Sequence, residues 1–349
     1  MKNVTTICAS MVLGAGLTSG FASAEIPRTA EGKPDLSGHY DIATLTPLQR
    51  DRRFGNNLYM AVEDANRIAE RDRMGKEFAN RDSDPDRGAP PVGGDGSRGA
   101  AGNVGGYNSF WVDNGTSNFI VDGKFRTSII YHPENGRRPR FTEARMQQFA
   151  AYRGRFRQNT GEAWWLEVDT PGPYDHPESL TLSDRCLLGF GSTGGPPMLP
   201  VLYNNVKRIV QTPDHVMILN EMVHDARIIR LNSEHAPEDI RKWLGDSIGH
   251  WEDDTLVVET TNFTDRPALS GATRDLKVTE RFTMTDADTI LYNFTVEDPG
   301  AWDEPWSGEF PFPRTDQQVF EYACHEGNYS MGNILRGARL LEEEARKGS

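Results

Sequence analysis

From residue 206 onward, hydrophobic and polar positions alternate along short stretches, the period of a strand with one buried face. In residues 277–284, Val278, Phe282 and Met284 fall on one side and Lys277, Thr279, Arg281 and Thr283 on the other. In residues 289–297, Ile290, Tyr292, Phe294 and Val296 share a side. The same reading predicts strands at 206–212, 215–222, 226–231, 255–263 and 320–324, with tight turns at Pro213-Asp214 and Asp286-Ala287-Asp288. Ile240, Trp243 and Leu244 space as one helical face that Gly245 would stop. Hairpin-length connections predict a mainly β fold, an antiparallel meander closed as a lipocalin-like barrel or folded as a sandwich, with a few peripheral helices. The absence of strand–helix–strand alternation disfavours a Rossmann or TIM architecture.

Upstream the period changes. Leu58, Val62, Ala65 and Ala69 recur at three- and four-residue spacing, which predicts a helix running to about Asn80. Residues 81–106 are dense in Gly, Pro and Asp and carry no apolar period, the pattern of a loop or linker. Order resumes at the aromatic cluster Tyr107, Phe110 and Trp111, followed by a strand ending in an Asn135-Gly136 turn. Thr142 is placed to cap a helix carrying Met146, Phe149, Ala150 and Phe156 on one face. The expected organisation is a signal peptide at 1–24, a helical and Gly/Pro-rich segment at 25–106, and a mainly antiparallel β domain at 107–349.

The signal assignment rests on Lys2, an apolar stretch from Val4 to about Leu17, and Ala22-Ser23-Ala24 before Glu25, a pattern that sends the chain to the periplasm or medium. That stretch is too short to span a bilayer, and no later segment is apolar enough, so no membrane span is expected. Removing the signal removes Cys8 and leaves Cys186 and Cys324, which in an oxidising compartment read as one disulfide. The formal charge of −13 repels phosphate backbones, and nucleic acid is excluded as a partner on that ground.

Two motif matches fail on context. Gly189, Gly191 and Gly194 have the spacing of a dinucleotide fingerprint, but Gly195-Pro196-Pro197 follows where a phosphate-binding helix would have to begin. Ser192 lacks the first glycine of a nucleophile elbow, since Phe190 stands there. Parity is more informative. Glu280 falls on the apolar face of its strand, where a carboxylate must be paired, protonated or catalytic. An ion pair with an arginine such as Arg227 is the structural reading. Tyr292 brings a hydroxyl to the same interior, so acid and phenol together are candidates for proton transfer. Glu221 and His224 lie three residues apart, and His325 is next to Glu326. On one extended strand the first pair would diverge; they converge only if residues 223–225 form a hairpin turn. The candidate catalytic set is thus Glu280, Tyr292, His224 and His325, with Glu221, Arg227 and Glu326 as ligand-binding candidates. Trp164, Trp165 and Trp243 offer flat surfaces for rings, though aromatics equally fill β cores.

The segments GKPDLSG, VGGYNSFW, RCLLGFGSTGGPPMLPVLYNN, QTPDHVMILNEMVHDARIIRL, GDSIGHWEDDTLVVETTNF, VTERFTMTDADTILYNFTVEDP and EYACHEGNY together resemble a family of secreted bacterial proteins of unassigned function. The resemblance covers nearly the whole mature chain and implies secretion and a single folding unit, without an activity. Glu221, His224, Arg227, Glu280, His325 and Glu326 fall within those segments.

Three functions remain open from sequence. The first is a periplasmic or secreted enzyme, a lyase, isomerase or hydrolase, using acid/base chemistry on a small carbohydrate or aromatic compound. It predicts Glu280, Tyr292 and a histidine in one pocket. The second is a small-molecule-binding β-barrel without catalysis, whose interior polar groups satisfy one another. The third is a metal-dependent hydrolase built on His224 and His325. No cofactor is predicted, and a small molecule is the expected partner.

Overall fold

The alternation in residues 277–284 and 289–297 is realised residue for residue. We describe the chain in a computed structural model covering residues 25–81, 86, 88, 112–154, 161–167 and 171–348. The signal segment, the aromatic cluster Tyr107, Phe110 and Trp111, and Phe156 lie outside the described residues. The strands are β1 (Gly38–Asp41), β2 (Tyr59–Met60), β3 (Ile120–Val121), β4 (Lys124–Arg126), β5 (Ile130–His132), β6 (Val206–Gln211), β7 (His215–Asn220), β8 (Ala226–Leu231), β9 (Asp246–Glu252), β10 (Thr255–Thr261), β11 (Lys277–Met284), β12 (Thr289–Glu297) and β13 (Trp306–Pro313). Three helices flank them, α1 (Val62–Ala79), α2 (Glu143–Gly154) and α3 (Tyr329–Gly348).

One sheet has the order β1-β6-β7-β8-β9-β10-β11-β12-β13-β5, and β2, β4 and β3 make a second, small sheet. The inner face of the large sheet carries Val278, Glu280, Phe282, Tyr292, Phe294, Phe310 and Phe312, all essentially without solvent exposure. Each large apolar side chain buried there contributes about 1.5–3 kcal/mol. The sheet curls into a half-barrel and does not close. Its geometry supplies the reason: a strand has two edges, and those of β13 are taken by β12 and β5, leaving β1 only an isolated bridge from Tyr40 to Arg314.

The meander is broken once. β8 and β9 run parallel, which a hairpin cannot connect, and residues 232–245 make the crossover. The helix expected around Ile240, Trp243 and Leu244 does not form. Lys242 N bonds Asn262 O (3.0 Å) and Thr264 N bonds Lys242 O (3.1 Å), so the segment lies alongside residues 262–264 and the backbone of Lys242, at its centre, is turned away from helical bonding. The crossover is pinned by buried Asp246, which accepts from Arg230 at 3.0 and 2.9 Å, from Lys242 at 3.1 Å and from Ala236 N at 3.0 Å.

Three further expectations are corrected. Residues 320–324 form no strand, and Phe320 is exposed. The last strand is instead β13, concealed by Pro311 and Pro313, residues that argue against a strand until their outward parity is known. Residues 124–139 hold two strands, β4 and β5, where one was expected. The cap on α2 is as expected, with Arg145 N donating to Thr142 Oγ1 (3.2 Å).

Candidate functional site

The concave face that a lipocalin would offer to a ligand is occupied by the chain itself. Residues 192–199 are buried, and Met198 and Leu199 belong to the same apolar cluster as Phe282, Tyr292 and Phe310. A buried irregular segment must find partners for its backbone. Leu199 N bonds Ser192 O (2.7 Å), Ser192 Oγ shares its single proton between Gly195 O (2.7 Å) and Pro197 O (2.6 Å), Lys207 Nζ donates to Thr193 O (3.1 Å), and Met198 N donates to Tyr292 Oη (3.0 Å). The interior polar side chains thus satisfy an inserted plug.

Glu280 and Arg227 are paired through two hydrogen bonds, of 2.5 and 2.9 Å, and both side chains are essentially inaccessible. Arg227 reaches across the concave face from β8 to β11. Tyr292 Oη donates to Glu280 Oε1 (2.7 Å), which orients the phenol so that its lone pair meets Met198 N. Burial, then the adjacent carboxylate, push the Tyr292 pKa well above its ordinary value. Burial opposes the charge on Arg227, and Glu280 outweighs it, raising the guanidinium pKa. Three of the sequence candidates therefore meet in one place as a hydrogen-bonded triad, with only Arg227 Nε unpartnered among its side-chain polar atoms in the described residues.

Glu221 belongs to a second polar group. Lys207 shares the inner face of β6 with Ile209, and its amine is fully buried. Burial pushes its pKa down to about 7, partly offset by the charges of Glu221, Asp225 and Asp41. Glu221 is itself anchored, its Oε1 accepting from Phe320 N (3.1 Å). The β7–β8 connection is a tight turn at residues 221–225, closed by Asn220 N to Asp225 O (2.8 Å). Within it Val223 holds φ 58° and ψ 19°, a left-handed backbone that is strained for a β-branched residue. The turn required to bring Glu221 and His224 together is present; the side chain of His224 lies outside the described residues. His325 and Glu326 sit exposed in the turn before α3, apart from the triad. Among the described residues no group of three or more His, Cys, Asp and Glu is placed to hold a metal.

The glycine motif acquires a packing explanation. No helix follows Gly194. A β-carbon at Gly194 would come within 2.9 Å of Asp225 Oδ2, and one at Gly189 would collide with Thr193 and Met222. These glycines let the plug approach the β7–β8 turn. Its upstream end is tied by the Cys186–Cys324 disulfide, with Cα atoms 5.6 Å apart.

Open space lies elsewhere. Cavities of about 990, 660 and 200 Å³ occur among the described residues, and none is lined by Glu280, Tyr292, Arg227 or Lys207. The first lies between α1, residues 44–48 and residues 199–203, immediately beyond the plug. Leu45, Ile68, Ile129, Leu199 and Val201 give it an apolar wall, while Arg71, Asp72 and Asn114 supply polar groups. None of these was singled out from sequence. Lys207 was legible, since parity places it beside Ile209, but a cavity wall drawn from α1, a loop near residue 45 and the plug has no local signature. No family model, no curated protein and no solved structure matches the chain.

Proposed function

We propose that this is an exported small-molecule-binding protein whose ligand occupies the cavity of about 990 Å³ beside the plug. The observation that carries the reading is that cavity: ligand sites are concave, largely apolar and furnished with few polar groups, and cover about 300–1,000 Å³. Asn114 fits such a role. Its Nδ2 donates to Asp72 Oδ1 (3.1 Å), while its buried Oδ1 has no partner among the described residues and is left to accept from a ligand hydroxyl or N–H. The Arg227–Glu280–Tyr292 triad supports binding over acid/base catalysis, because its groups are spent on one another and on the plug. The disulfide and the sequence of residues 1–24 support export.

The test is titration of the mature chain with Nile red, a neutral apolar fluorophore, alongside an Ile68→Trp variant. Ile68 is only partly buried on α1, so the larger ring projects into the cavity at little cost to the fold. Saturable binding in the wild type, weakened about tenfold or more in the variant at an unchanged melting temperature, supports the site. Equal binding by both proteins removes it.

A further inference from the structure

Charge on the cavity wall is not balanced. Of the four cations on α1, Arg67 pairs with Asp64, Arg73 with Glu70 at 2.6 Å, and Lys76 with Asp72 at 2.9 Å. Arg71, the fourth, has no hydrogen bond or ion pair among the described residues. Arg71 lines both the large cavity and a second one of about 200 Å³, which share Leu45, Pro47 and Ile68 as well. Among the described residues Asp72 is the sole carboxylate on the wall of the large cavity, and Lys76 and Asn114 already occupy it. The remainder of that wall is apolar, apart from Asn114 and hydroxyl groups such as those of Thr44 and Thr46.

From this we infer that the ligand is an apolar organic acid, its aliphatic or aromatic body in the cavity and its carboxylate on Arg71. The inference rests on the binding reading above and narrows its ligand class. The chemistry is direct. A planar guanidinium presents parallel N–H donors that match both oxygens of a carboxylate, and it is more weakly hydrated than an ammonium, so it can be held against apolar surface. Asp72, neutralised by Lys76, does not repel the incoming anion. Arg71 remains exposed, so screening limits its worth, and its role is selection of the anion over a neutral analogue more than bulk affinity.

The experiment compares two probes with one tail, decanoate and decan-1-ol, by displacement of Nile red from the mature protein at neutral pH. Decanoate is expected to bind about five- to tenfold more tightly than the alcohol, a preference that shrinks as salt is raised. Arg71→Gln is expected to abolish the preference by weakening decanoate binding about five- to tenfold, at an unchanged melting temperature, since the substitution sits on an exposed helix position. Equal affinities in the wild type, or a preference that survives Arg71→Gln, overturn the acid assignment and leave the cavity as a site for neutral ligands. Failure of Nile red and both probes to bind saturably overturns the cavity reading itself, and the acid assignment with it.

Discussion

Glu280 and Lys207 are both ionisable side chains on the inner face of a strand, and they differ in how their charge is met. Glu280 has a full counter-charge in Arg227. Glu280→Gln leaves that guanidinium buried beside a neutral amide, and we expect a loss of about 3–5 kcal/mol in urea unfolding, with much of it recovered when Arg227→Met is added. A Glu280→Gln protein as stable as wild type would instead point to an acid/base role. Among the described residues Lys207 has one side-chain hydrogen bond and no direct ion pair, and its pKa falls from 10.5 to about 7. Below about pH 7 the amine is protonated in folded and unfolded chains alike. Between about 7 and 10.5 the unfolded chain binds a proton that the folded chain does not, so stability climbs with pH. Relative to Lys207→Met, the wild type should gain up to about 1.4 kcal/mol per pH unit across that window. A difference that stays flat with pH would show that the buried amine keeps its proton throughout the window. Glu280 was read from the sequence as a carboxylate on apolar parity with Arg227 as its structural partner; Lys207 was not singled out, although the same parity places it beside Ile209.

At the scale of elements, the parallel β8–β9 pair depends on the crossover, and the crossover on Asp246. Arg230 first, then Ala236 N, Lys242 and His235, hold the Asp246 carboxyl well below the usual carboxylate range against the opposing effect of burial. A carboxylate with a depressed folded pKa contributes stability above its unfolded pKa, near 3.9, and that contribution is lost as pH falls through it toward the folded value. Asp246→Asn is expected to cost about 2–3 kcal/mol at pH 7 and much less at about pH 2, measured by denaturant midpoints at the two pH values. An equal penalty at both would mean that shape, and not charge, holds the crossover. Strands β8, β11 and β12 were read with their observed limits because hydrophobic alternation is a local property. The helix expected near Trp243 failed because the amide and carbonyl of Lys242 are claimed by Asn262 and Thr264, distant in sequence, and no local period records such competition.

In the whole molecule, the Cys186–Cys324 bridge spans a sequence separation of 138 residues, enclosing β6 to β13 and fastening the base of the plug. Chain entropy puts its worth at about 4–5 kcal/mol, so reduction should lower the unfolding free energy by that order in a denaturant titration with and without reductant. A shift below about 1 kcal/mol would mean that the reduced chain keeps the plug in place unaided. Alternation and turn chemistry by themselves determined a β-rich chain with one polar stripe on its inner face, and cysteine count determined the bridge, because these are short-range or compositional properties. The tertiary structure alone decided that the barrel stays open, since only strand order reveals that β5 takes the free edge of β13. It alone decided that residues 192–199 fill the interior and that the open cavity lies beyond them, because a cavity is the space left between elements remote in sequence and no single stretch of chain encodes its walls.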